Sequence, residues 1–100
     1  MTRLLWTAEA VQDMVRIHTQ LAEYTGLASA ERHLVAFRRS ADLAQAHPLI
    51  GKQGLVKNTR ELYPINKKYR MVYVFDEDAD TVSIITVLHG KQQYPENTGF

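Results

Sequence analysis

Tyr69-Arg-Met-Val-Tyr-Val-Phe75, then Asp76-Glu-Asp-Ala-Asp80, then Thr81-Val-Ser-Ile-Ile-Thr-Val-Leu-His-Gly90 decide the fold of this chain. The outer runs are rich in β-branched and aromatic residues, and the acidic block between them has turn character. The segment reads as a long β-hairpin. Its first strand carries Arg70 and its second ends on His89. Alternation places Tyr69, Met71, Tyr73 and Phe75 on one face and Arg70, Val72 and Val74 on the other. The bulkier set is expected under the core. In the second strand Val82, Ile84 and Leu88 are expected to join that core. His89 then falls with Ser83, Ile85 and Val87, on the same open face as Arg70. Ser83 and Thr86 have opposite parity, so either a bulge intervenes or the strand is covered on both faces.

Upstream, Thr59–Ile65 is strand-like, and Pro64 implies an edge or a break. Asn66-Lys67-Lys68 turns the chain into the hairpin. Leu49 to Asn58, with Gly51 and Gly54, reads as a loop. At the start, Leu4-Leu5-Trp6 suits a short strand, and Thr7 is placed to cap a helix with its hydroxyl. Ala10, Val11, Met14, Ile17, Leu21 and Tyr24 fall in steps of three and four and make one helical stripe. Glu9, Gln12, Asp13, Arg16, Gln20 and Glu23 take the other side. Gly26 is the expected stop. Ser29 is expected to cap a second helix with the stripe Ala30, Leu34, Phe37, Ala41 and Ala44. Val35 and Leu43 lie off that stripe, and His47-Pro48 ends the helix. The short link between the helices implies an antiparallel hairpin. The fold class is α+β in the order β-α-α-β-β-β. An N-terminal strand and an antiparallel helical hairpin precede a three-stranded antiparallel meander, with the helices on one face.

The 100 residues suit one domain, spanning 1–100, with a polar tail from Gln92 to Phe100 expected to be loosely held. At 45% apolar residues the chain can build one modest core. The absence of cysteine excludes a disulfide scaffold, a thiolate zinc site and a cysteine nucleophile, and fits a reducing compartment. The N-terminus offers neither a secretory h-region nor a membrane span, so a cytoplasmic protein with no membrane contact is expected. A net charge of +1 gives no overall field for nucleic acid. Locally, Lys52, Lys57, Arg60, Lys67, Lys68 and Arg70 stand against Glu61 alone. Such a stretch is more often solvated surface than a patch for an anionic partner.

No phosphate loop, HExxH, EF-hand or GxSxG motif is present. His18, His33, His47 and His89 lack metal-ligand spacing, so neither metal nor organic cofactor is expected. His18 and His33 read as surface helical residues, and His47 as a helix-end residue. Arg70 and His89 admit two readings. In one, a titrating imidazole and a guanidinium, helped by Arg60, Lys67 and Lys68, form a phosphodiester site. In the other, Arg70 pairs with an acid such as Glu61 and His89 bonds a backbone carbonyl.

Trp6-Thr-Ala-Glu-Ala10, Thr59-Arg-Glu-Leu62, Tyr69-Arg-Met-Val-Tyr73, Val87-Leu-His-Gly90 and Gln93-Tyr-Pro95, in that order, resemble the RelE/ParE toxin superfamily of bacterial type II toxin–antitoxin modules. The resemblance covers almost the whole chain. It implies the same β-α-α-β-β-β fold and a cognate antitoxin, often a segment that folds on binding. It also implies contact with DNA only through that antitoxin. ParE-like members poison DNA gyrase, whereas RelE-like members cleave mRNA on the ribosome. Leu88-His-Gly90 and Thr59-Arg-Glu-Leu62 look more like the ParE side. By position, Arg60, Arg70, His89 and Tyr94 match the residues a nuclease would use. Lys57, Arg60, Lys67, Lys68 and Arg70 would form the anionic-partner patch. Val74 and Thr86 stand where relatives often carry arginine, which weakens a substrate clamp. The resemblance thus implies a gyrase-directed toxin, with an mRNA endonuclease or a non-toxic co-repressor as alternatives. It leaves the oligomeric state open, a homodimer included.

Overall fold

The computed structural model describes residues 1–90 and 92–94. Strand β1 (Arg3–Trp6) leads into helices α1 (Ala8–Thr25) and α2 (Leu27–Ala46). Strands β2 (Lys52–Gln53), β3 (Thr59–Leu62), β4 (Tyr69–Asp76) and β5 (Thr81–His89) follow. One sheet has the order β1-β5-β4-β3-β2. Strand β1 runs parallel to β5, and every other pair is antiparallel. The α+β class, the helical hairpin and the meander agree with the sequence. The first two residues of the 49–58 stretch that differ from a loop are Lys52 and Gln53, which form the additional edge strand. Strand β3 stops at Leu62, two residues before Pro64, whose missing N–H cannot extend a ladder.

Thr7 caps α1 as its sequence suggests, accepting the Ala10 N–H at 3.2 Å. Its own hydroxyl lies 2.8 Å from the carbonyl of Ile84 and its N–H donates to the same oxygen at 3.1 Å. The first turn of α1 is thereby fixed to β5. The connection to α2 is tighter than expected. Gly26 alone joins the helices at φ +95, a conformation that a side chain would penalise. Ser29 therefore lies inside α2 and caps nothing.

The stripe of α2 holds: Ala30, Phe37, Ala41 and Ala44 have no exposed surface, while Val35 and Leu43 face out. Its alanines keep the helix close to the layer beneath, and Phe37 fills the centre. Truncating such a phenylalanine costs about 3–5 kcal/mol. The face of α1 is rotated relative to the expected one. Ala10 and Ile17 are buried, but Val11 and Tyr24 are exposed and Asp13 is buried at 6% exposure. The reason lies in β5.

Along β4 and β5 the register runs Tyr73↔Ile84 and then Val72↔Thr86. Ile85 is the extra residue of a β-bulge. Beyond it the parity of β5 is reversed. Val87 joins the core cluster with Met71 and Tyr73, and Leu88 does not. The bulge allowed by the sequence is thus present, and it corrects the expected faces: Val87 packs in the cluster under the helices, while Leu88 is buried on the other face. Strand β1 ends opposite Ile84, which leaves the following edge of β5 unpaired by strand. Asp13 fills that gap: Oδ2 accepts the Val87 N–H at 3.0 Å and the Thr86 hydroxyl at 2.5 Å. Arg16 holds the other carboxylate oxygen at 3.0 Å. An acid on the apolar side of α1 is the substitute for a missing strand.

Replacing Asp13 with alanine leaves a buried amide and hydroxyl without an acceptor. A loss of about 2–3 kcal/mol is expected, read as the shift in urea unfolding free energy. Asp13→Asn retains an acceptor oxygen and is expected to lose less than half as much.

Candidate functional site

Strand β3 alternates faces like β4. Arg60 stands opposite Tyr73, and Glu61 stands opposite Val72. Arg60 and Arg70 therefore project to opposite sides of the sheet. On the helix side Arg60 is committed to backbone, its Nη1 donating to Leu49 O at 3.0 Å and Gly51 O at 2.7 Å. Tyr73 works on the same loop. Its hydroxyl donates to Pro48 O at 2.8 Å and accepts the Gly51 N–H at 2.9 Å. A Cβ at Gly51 would sit 2.8 Å from that ring and 2.9 Å from Glu61 O, so only glycine fits this approach. Arg60 is a clamp on the α2–β2 connection.

On the other side Glu61 is the hub, with 4% of its side chain exposed. It receives Arg70 Nη1 at 3.5 Å, the Tyr63 hydroxyl at 3.2 Å and the Tyr94 hydroxyl. Arg70 is itself 11% exposed and lies 5.6 Å from the centroid of the Tyr94 ring. Its Nη2 donates to the Gln92 carbonyl. The second reading of Arg70, pairing with Glu61, is the one the geometry has. A buried pair of this kind is held by its extra hydrogen bonds, and losing either partner strands a charge. The first residues of the tail expected to be loose thus lie against the sheet. Pro95 and the remainder of the tail, 95–100, lie outside the described residues.

His89 does not join this group. The bulge puts it opposite Tyr69, and Leu88 faces Arg70. The expected sharing of one face by Arg70 and His89 is corrected for that reason. The His89 ring is exposed and packs edge-on at 5.7 Å from the Tyr69 ring. Tyr69 in turn meets Phe37 and His33, whose Nδ1 is 2.7 Å from Ser29 O. Among the described residues the His89 ring makes no hydrogen bond to a backbone carbonyl. His18 lies 3.4 Å from Glu31. Among the described residues no His, Asp and Glu cluster suits a metal ion.

The cations are also divided. Lys67 borders the groove of Arg70, Lys57 borders a separate hollow beside Arg60 and Glu77, and both are exposed, as is Lys68. Of the residues matched to a nuclease, only Arg70 and Tyr94 are adjacent. Thr86 is occupied by Asp13, and no arginine replaces it. Sequence reading named Glu61 as a partner for Arg70 but missed the two tyrosine hydroxyls that make it a hub, since these meet it only through the β3–β4 register and the tail. Between the helices, on the outer side, runs an apolar groove of ≈ 640 Å³ that includes Met14, Leu34 and the exposed Val11, Val15 and Val35. No helix among the described residues is long and apolar enough to cross a membrane.

Burial raises the pKa of Tyr69, Tyr73 and Tyr94, and the bond to Glu61 adds to the rise at Tyr94. Each neutral hydroxyl favours the folded state below the unfolded value of about 10, and that contribution is lost as pH rises through the higher folded value. Of the five tyrosines, these three are expected to ionise late in an absorbance titration. Tyr94→Phe is expected to remove one late step and leave two.

The family model described as "ParE toxin of type II toxin-antitoxin system, parDE" matches residues 4–94. "Putative toxin Y4kP" of Sinorhizobium fredii is 30% identical over 94 residues, covering 94% of each chain. The chromosomal ParDE system of P. aeruginosa contains a chain that superposes with a TM-score of 0.78 at 18% identity, over 89% of this chain and 96% of that one. The E. coli RelBE complex gives 0.62 at 15% identity, over 92% and 100%. RelBE2 of Mycobacterium tuberculosis gives 0.58 at 25%, over 88% and 96%. The structural likenesses at low identity establish the fold, and the family match runs from the first strand to Tyr94: this chain belongs to the ParE toxin family of type II toxin–antitoxin systems.

Proposed function

We propose that this chain is the toxin of a ParE-type module that acts in the cytoplasm by protein contact on DNA gyrase and is held inactive by a cognate antitoxin. The observation that carries the choice of branch is the state of Arg70. Its charge is balanced by a buried Glu61, Arg60 is on the opposite face, and His89 lies across the sheet from it. Phosphoryl chemistry of the RelE kind calls for clustered cations around a free acid and base. Here the cations are spread and the central one is neutralised. Tyr94 over Arg70 is the one contact that favours the endonuclease as a second reading. The antitoxin is placed on the outer side of the helical hairpin. An amphipathic segment lays its apolar face into such a groove, using anchors at helical spacing, and Val11, Val15 and Val35 are open to receive it.

Purified toxin is expected to inhibit gyrase supercoiling or to trap cleaved DNA, and His89→Ala is expected to leave that inhibition unchanged. Codon-positioned mRNA cuts in a translating extract, lost in His89→Ala, would favour the endonuclease instead. Induced expression without growth arrest would favour a co-repressor. Val15→Glu, at a site 61% exposed, is expected to leave the melting temperature within a few degrees of the parent and to weaken antitoxin binding by about tenfold or more, measured by calorimetry.

A further inference from the structure

The groove on Arg70's side of the sheet, ≈ 990 Å³, contains Glu61 and Arg70 and is bordered by Lys52, Tyr63 and Lys67. The guanidinium within it is unevenly used. Nη1 serves Glu61 and Nη2 serves the Gln92 carbonyl. Nε is buried and has no hydrogen-bond partner among the described residues. Nε and Nη2 form one flat edge with two parallel donors, a shape that matches the two oxygens of a carboxylate. A single carbonyl oxygen satisfies half of it, and a buried donor left unmet is costly.

Residues 92–94 are held at both ends. Gln92 bonds Arg70 and exchanges two bonds with His89, its N–H donating to the His89 carbonyl at 2.9 Å and its Oε1 accepting the His89 N–H at 3.2 Å. Over the groove only the Tyr94 hydroxyl bonds, donating to Glu61 and accepting the Leu55 N–H at 3.2 Å. The hydroxyl packs over Gly54, where any Cβ would collide with both the Thr59 and the Tyr94 hydroxyls. Leu55 is already 78% exposed, so lifting Tyr94 frees its backbone donor beside an open apolar side chain.

We propose that residues 92–94 are a strap standing in for a carboxylate, and that an acidic protein segment lifts the strap to set an Asp or Glu side chain on the Nε–Nη2 edge of Arg70. Lys52 and Lys67 attract such a segment, and the Leu55 N–H donates to a main-chain carbonyl of it. A phosphate dianion is less suited, because Glu61 already places a negative charge against Arg70. The segment is defined by its chemistry, and the proposal stands whichever macromolecule the toxin poisons.

The test uses the purified full chain and a capped peptide, acetyl-Leu-Glu-Leu-Glu-Leu-Ala-amide. Its glutamine counterpart and inorganic phosphate serve as controls. Binding is followed at the Arg70 Nε–H resonance, assigned by its loss in Arg70→Lys. The glutamate peptide is expected to shift that resonance. With a strap closed about nine-tenths of the time, Tyr94→Ala is expected to bind the peptide about tenfold more tightly. Tyr94→Phe, which removes the hydroxyl's bonds to Glu61 and Leu55 and leaves Arg70 in place, is expected to tighten binding in the same direction. Arg70→Lys keeps the charge, loses the edge, and is expected to lose binding, read by calorimetry because this variant has no Nε–H resonance. If that variant melts early, the two strap variants carry the test, since both retain Arg70. The proposal is overturned if Tyr94→Ala and the parent bind equally, if phosphate binds better than the peptide, or if neither strap variant binds the glutamate peptide.

Discussion

The bond from Asp13 to Val87 N–H and Thr86 Oγ1 is the constraint on which the rest of the structure depends. Strand β1 is only four residues long and stops opposite Ile84. From there β5 has an unpaired edge inside the protein, and a buried amide without an acceptor is not tolerated cheaply. Thr7 takes the carbonyls of Ile84 and Ile85, and Asp13, farther along α1, takes the next amide. One helix thus closes the ladder where the strand ends. This fixes the rotation of α1, and with it which apolar residues are left outside. Val11 and Val15, on the side of α1 away from Asp13, are exposed because Asp13 is not.

The same place sets the chemistry of the sheet. Ile85 bulges opposite the junction of Val72 and Tyr73 and moves every later residue of β5 to the other face. His89 goes to the aromatic side with Tyr69, and Arg70 keeps Leu88 as its neighbour. Arg70 is then met by Glu61 from β3 and by Gln92 and Tyr94 from the tail. A face that would serve as a cationic clamp is instead a neutral, hydrogen-bonded network around a buried acid. The basic stretch from Lys52 to Arg70 is dispersed by the same strand alternation. Its lysines lie on rims and its two arginines lie on opposite faces.

Most of the fold was legible because its signals are local. The Thr7 cap, the alanine-rich stripe of α2, the stop at His47-Pro48 and the long hairpin all rest on spacing within a few residues. The site was less legible because its geometry depends on register between distant segments. Mixed parity at Ser83 and Thr86 signalled a bulge or a doubly covered strand, yet it could not say which residue was extra. Strand β2 escaped notice because two residues carry no periodicity, and the turn before it is held at Gly51 by Arg60 and Tyr73, 9 and 22 residues away.

By itself the amino-acid order determined the class, the order of the elements apart from β2, and the family, since apolar spacing, caps and turn residues act on near neighbours. The tertiary structure decided which polar groups meet. Asp13 and Val87 are 74 positions apart, and Tyr94 and Glu61 are 33 apart. Whether such groups pair turns on a one-residue offset in a strand. The hairpin's arginine and histidine are fixed as residues by the chain, and only the bulge at Ile85 places them on opposite sides of the sheet.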